Sequence, residues 1–167
     1  MTSLPRRRWM AASLAAAGLV GCGFQLRRPP ELQLKRVVLV GFDAYSPMGE
    51  ELRRQLRASP GVVLTETVAS ADVVLDVLED AREQVVAAST AAGQVRELTL
   101  RARLRFKART PAGRTLIAPA ELTLTRDVSY SETSALAKEQ EIALLFRSMH
   151  TDLAAQVLRR LAALGPG

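Results

Sequence analysis

Leu98–Arg109, LTLRARLRFKAR, decides the fold. Leu98, Leu100, Ala102, Leu104, Phe106 and Ala108 alternate with Thr99, Arg101, Arg103, Arg105, Lys107 and Arg109. Successive side chains of an extended chain point to opposite faces. This period of two therefore puts the five cations on one face and the apolar set on the other. The segment reads as a strand with one face in a core and one in water.

Reading outward, Pro111-Ala112-Gly113 is a turn, and Thr115–Tyr130 is the partner strand of a hairpin. Leu122 and Leu124 point one way. Glu121, Thr123, Thr125 and Asp127 point the other, which places Glu121 and Asp127 beside the cations and partly neutralises them. Upstream, Ala87–Gly93 is small and polar and reads as a loop. Asp72–Val86 alternates through Val73, Leu75 and Val77, although Val74 and Leu78 make its other face apolar too. Val62–Thr67 is a short run whose pairing the sequence leaves open, and Lys35–Gly41 (KRVVLVG) reads as a buried strand.

Two helices complete the set. In Met48–Ala58, Met48, Leu52 and Leu56 share one side, Glu50 and Glu51 favour the positive end of the helix dipole, and Ser59-Pro60-Gly61 stops the helix. From Ser134, a predicted N-cap, a long helix runs to about Ala163. Its stripe is Ile142, Phe146, Met149, Leu153, Val157, Leu161 and Leu164. Each helix has one stripe to bury. The expected fold is α+β: a two-layer sandwich of a mostly antiparallel or mixed four-stranded sheet with two helices packed on one face. The arginine face is left open.

The first residues carry a different message. Arg6-Arg7-Arg8 precede an apolar stretch, Trp9–Val20, of about 12 residues, the length of a signal peptide rather than the roughly 20 of a membrane span. The stretch ends in Leu19-Val20-Gly21-Cys22, which looks like a bacterial lipobox. A signal peptide over 1–21, a lipidated Cys22 with a tether over 22–33, and one domain over 34–164 follow. Three acyl chains, the usual bacterial number, anchor firmly where one is marginal. Gly23 after the cysteine, as in other proteobacterial lipoproteins, favours the outer membrane. The export route, general secretory or twin-arginine, stays open.

Removing the three arginines lowers the formal charge from +6 to +3. That is too weak a charge to argue for nucleic acid. One Cys and one His exclude an internal disulfide and the usual zinc sites. His150 has no nucleophile or metal-ligand context, and Ser129, Ser131 and Ser134 look like turn and cap residues. No catalytic residue, metal or cofactor is expected.

Cys22-Gly23-Phe24-Gln25-Leu26-Arg27 resembles the start of the LPS-assembly lipoprotein LptE family. The terminal helix is similar as well: it opens Ala135-Leu136-Ala137-Lys138-Glu139 and continues through Arg147, Met149, Asp152, Leu153, Gln156, Arg160 and Leu161. The element order matches over nearly the whole mature chain. The resemblance implies a non-enzymatic outer-membrane lipoprotein. It would sit as a plug inside the LptD β-barrel, assist the barrel's assembly, and help deliver lipopolysaccharide to the outer leaflet. It also implies lipopolysaccharide contacts at the start of the last helix, where Lys138 matches, and at the loop before the long hairpin. In that loop Ala91 stands where relatives can carry a basic residue, and Arg96 is the nearest substitute. Arg101, Arg103 and Arg105 on the open face suit the same phosphate-bearing ligand. Two other readings stay in view. One is an auxiliary lipoprotein of an ABC-type lipid transporter; the other is a small anchored hydrolase, for which the sequence offers no catalytic constellation.

Overall fold

The computed structural model describes residues 35–164. The expected signal peptide, Cys22 and the tether lie outside them. The strands are β1 (Arg36–Val40), β2 (Val63–Leu64), β3 (Val73–Ser89), β4 (Val95–Arg109) and β5 (Thr115–Ser129). The helices are α1 (Pro47–Ala58) and α2 (Ala135–Ala162).

α1 starts where Ser46 ends the preceding loop. The Ser46 hydroxyl accepts the Gly49 N–H at 2.8 Å, and Pro47 takes the first-turn position that needs no donor. Its stripe of Met48, Leu52 and Leu56 has no exposed surface. α2 buries Ile142, Phe146, Met149, Leu153, Val157 and Leu161, as its periodicity requires. Its 28 residues span about 42 Å. Ser134 occupies the cap position, but its side chain makes no capping hydrogen bond. A 3₁₀ turn, Glu132–Ser134, leads into the helix instead.

The sheet has five strands, not four, in the order β2-β1-β3-β4-β5. β1 pairs in parallel with β2 and with β3, while β3, β4 and β5 form an antiparallel meander. The fifth strand is the doubtful one of the sequence, reduced to Val63 and Leu64. β3 also runs past its expected end at Val86. Ala87–Ser89 continue the ladder, so the loop shrinks to the turn around Thr90–Gln94.

Both helices lie on one face. Met48, Leu52 and Leu56 of α1 and the α2 stripe share one core with Val37, Val73, Leu75, Leu100, Leu104 and Phe106. Each fully buried large side chain contributes roughly 1.5–3 kcal/mol. On the opposite face only a corner is covered. Val38, Ala71 and Val74 pack there under Val68 of a 3₁₀ turn, Val68–Ser70.

The first irregularity in β3 sets which way the strand faces from Glu79 to Val86. Val77 pairs with Phe106 and Glu79 with Arg105, which leaves Leu78 as an extra, bulged residue. A one-residue bulge reverses which face each later side chain takes. Before it, Val73, Leu75 and Val77 face the core. After it, Glu79, Ala81 and Glu83 face outward with the cations, and Asp80, Arg82 and Gln84 take the helix side. The chain leaving β1 passes close by: a Cβ on Gly41 would stand 2.4 Å from the Val77 carbonyl oxygen, so only glycine fits.

Candidate functional site

The open face of the β3–β5 meander carries the cation row as expected. Leu100, Ala102, Leu104, Phe106 and Ala108 are buried beneath it. What the cations touch differs from expectation. Arg101 lies 3.3 Å from Glu83, and Arg103 donates to Glu83 at 2.6 Å. Arg103 Nε also stands 3.5 Å from Glu79, close enough for charge attraction though not aligned as a hydrogen bond. Arg105 reaches Glu79 at 3.3 Å. Arg109 donates to Asp76 at 2.7 Å, and Lys107 stands 4.0 Å from the same carboxylate.

The partners therefore come from β3, because the bulge at Leu78 brings Glu79 and Glu83 to the side that Asp76 already occupies. Glu121 and Asp127 do lie on this face, in register with Arg105 and Thr99. Neither forms an ion pair with the row among the described residues; Asp127 accepts the Thr99 hydroxyl at 2.7 Å. The hydrogen bond that Arg103 donates to Glu83, reinforced by the charges of Glu79 and Glu83, raises its guanidinium above its ordinary pKa. The hydrogen bond to Asp76 does the same for Arg109. Each pair is partly exposed and contributes roughly 0–1 kcal/mol, but a shared network holds the side chains in fixed places. The face is thus a self-neutralised ion-pair ladder, not a bare positive patch.

Lys138 and Arg96 lie elsewhere, both at the end of the β4–β5 hairpin. Lys138 Nζ donates to Glu141 at 2.8 Å and to the Ser129 hydroxyl at 3.3 Å, tying the first turn of α2 to the last residue of β5. The next residue, Tyr130, donates its N–H to the Arg96 carbonyl at 2.8 Å. Arg96 is the bulged residue between the Glu97 and Val95 pairings, and its guanidinium stands 3.5 Å from Gln94. From Arg96 to Arg105 the strand covers about 30 Å. The structure therefore brings Lys138 and Arg96 to one end and spreads Arg101, Arg103 and Arg105 along the face. No group of metal-ligating side chains occurs among the described residues.

The sequence could show neither the bulge nor, with it, the acids of β3. Asp76, Glu79 and Glu83 have mixed parity, so a straight strand would have split them between two faces. Their only early signal is the recurrence of acids in β3 opposite a cationic β4.

Comparison with known proteins places this fold. Residues 34–161 match the family model described as LptE, lipopolysaccharide-assembly. The chain is 29% identical to the LPS-assembly lipoprotein LptE of Yersinia enterocolitica, over 93% of this chain and 76% of that one. It is 27% identical to the LptE of Photorhabdus laumondii, over 93% and 86%. Among solved structures, lipoprotein B of Nitrosomonas europaea superposes with a TM-score of 0.70 at 25% identity, covering 84% of this chain and 91% of that one. A minor lipoprotein of Acinetobacter baumannii gives 0.64 at 26% identity, covering 79% and 93%. With its α+β meander, its two helices on one face and a family match spanning the described domain, the chain belongs to the LptE family of non-enzymatic lipopolysaccharide-assembly lipoproteins.

Proposed function

We propose that this lipoprotein is cut before Cys22, lipidated with three acyl chains at that residue, and carried on the 22–33 tether at the outer membrane. There it plugs the LptD β-barrel, assists the barrel's assembly, and helps deliver lipopolysaccharide to the outer leaflet. The observation that carries the reading is the ion-pair ladder on the open sheet face. The lumen of a large transmembrane barrel is polar and wet, so a plug must present a polar surface that neither collapses nor repels either sign of charge. A self-neutralised face meets that requirement, with its apolar residues confined to a corner under Val68 and to single side chains such as Val85.

Lipopolysaccharide contact is assigned first to Lys138 and Arg96, at the hairpin end beside the start of α2. Arg101, Arg103 and Arg105 join as secondary contacts. Their carboxylate partners are half-buried, and each pair is weak enough for an incoming phosphate to compete.

Thr125 stands exposed on the open face, one strand from Arg101. A photo-crosslinking residue placed there in the cell should give an adduct with LptD. An adduct confined to inner-membrane transporter subunits, or none at all, contradicts the plug.

A further inference from the structure

A second basic site lies on the other side of the sheet. A cavity of about 690 Å³ opens where α1, the part of β3 beyond the bulge, and the middle of α2 meet. Arg54 and Arg57 of α1, Arg82 of β3, and Phe146, Arg147 and His150 of α2 line it. The Arg82 guanidinium rests over the Phe146 ring, 5.7 Å from its centre. It is there because the bulge turned Arg82 to the helix side.

Two acids also border the cavity, and both are engaged. Glu50 pairs with Arg53 at 2.8 Å. Glu51 pairs with Arg54 and accepts from Gln55 at 2.7 Å. Burial works against the charge on Glu51, but hydrogen bonds from Arg54, Gln55 and Thr151 together hold its carboxyl below the ordinary range. Arg57, Arg82 and Arg147 have no carboxylate partner among the described residues.

His150 supplies an independent observation. It is only 4% exposed, yet its Nε2 has no hydrogen-bond partner. Burial pushes its pKa down, which keeps the ring neutral. An unpaired buried nitrogen costs roughly 1–3 kcal/mol and is rare enough in native proteins to need an explanation. The His150 residue lines the same cavity as Arg57, Arg82 and Arg147.

The donor set points to the ligand's chemistry. A carboxylate is satisfied by one guanidinium fork. A phosphate monoester has three terminal oxygens and about two negative charges, and takes several forks from different directions. The ring of Phe146 and the side chains of Pro47 and Ala143 offer an apolar wall to whatever carries the phosphate. We infer that this cavity binds a phosphate monoester through Arg57, Arg82 and Arg147, with His150 at its wall. The site stands apart from the ladder and from Lys138, and it does not rest on the plug function.

The chain's single histidine makes the test direct. The full-length lipoprotein, purified in detergent without a histidine tag, is titrated at fixed pH and ionic strength while the His150 ring signals are followed by NMR. Inorganic phosphate, glucose 1-phosphate, phosphatidic acid in mixed micelles, acetate and a glutamate-rich peptide serve as probes. Saturable shifts with phosphate-bearing probes and none with acetate are expected. A glucose 1-phosphate response exceeding that of phosphatidic acid assigns a soluble source, and the reverse assigns a lipid one. The double variant Arg82→Ala/Arg147→Ala should bind at least about tenfold more weakly and stay cooperatively folded, because both side chains are exposed and only the Arg82 contact with Phe146 is lost. Arg57→Ala, also exposed, provides a second variant with the same expectation. The inference is overturned by any of three results: no saturable shift with any phosphate probe, equal affinity in the variants, or a response to acetate or the peptide as strong as that to phosphate.

Discussion

At the scale of single residues, a few polar side chains fix where the elements meet. Ser46 is 6% exposed and works in two directions: it accepts the Gly49 N–H and donates to Asp80 at 2.5 Å. It thereby starts α1 and fastens it to β3 just past the bulge. Ser46→Ala should cost about 1–2 kcal/mol in urea unfolding, a cap plus one charge-assisted hydrogen bond. A variant as stable as the parent would show that both bonds are idle. Lys138 illustrates the opposite case, a residue whose type was legible and whose surroundings were not. Its ammonium is bound to Glu141 and Ser129, which fixes its place at the hairpin end. Lys138→Asp should lower lipopolysaccharide affinity roughly tenfold or more, since a hydrogen bond to a charged group contributes about 1.5–3 kcal/mol. Equal affinity for the two proteins removes Lys138 from the contact.

At the scale of elements, periodicity carried the reading where the chain is regular. β4 and β5 lie within three residues of their expected bounds, because alternation persists through both and polar turns flank them. Pro119 sits comfortably in β5, an edge strand, beside the register shift between Phe106 and Ala108. The two hairpin turns teach a narrower lesson. Pro111-Ala112-Gly113, preceded by Thr110, reads as a turn on its proline. Thr90-Ala91-Ala92-Gly93 has the same threonine and glycine spacing and the same bonds, with Gly93 N–H to the Thr90 carbonyl at 2.9 Å, as Gly113 to Thr110. Without a proline it blended into a longer loop, and the end of β3 went unread. The bulge at Leu78 left no signal at all, since Val77-Leu78 is merely two apolar residues in a row. The bulge nevertheless builds the ladder. Reversing Arg101, Arg103 and Arg105 to Glu together would set three new carboxylates beside Glu79 and Glu83. Urea unfolding should register a loss of about 1–3 kcal/mol. Adding Glu79→Arg and Glu83→Arg restores alternation of sign and should recover most of that loss. Stability unmoved by the triple reversal would mean that the ladder contributes nothing.

At the scale of the whole molecule, the fold divides its labour between two faces. One face buries both helices against a single core; the other is a hydrated grid of paired charges, with a small apolar corner under Val68. Such a division suits a domain whose outer face meets a polar wall and whose N-terminal cysteine fixes it to a membrane. The fold class, the helix faces and the cation row could all be read from the sequence. The acids that neutralise the row could not, because the bulge at Leu78 decides which face Glu79 and Glu83 take. The decisive measurement is an affinity isolation of the C-terminally tagged, full-length lipoprotein from detergent-solubilised native membranes, with co-purifying proteins identified by mass. The plug account predicts a stoichiometric β-barrel, LptD, that survives washing, and its loss or sharp reduction when Cys22→Ser prevents anchoring. Recovery of inner-membrane transporter subunits, or of the lipoprotein alone, would contradict it.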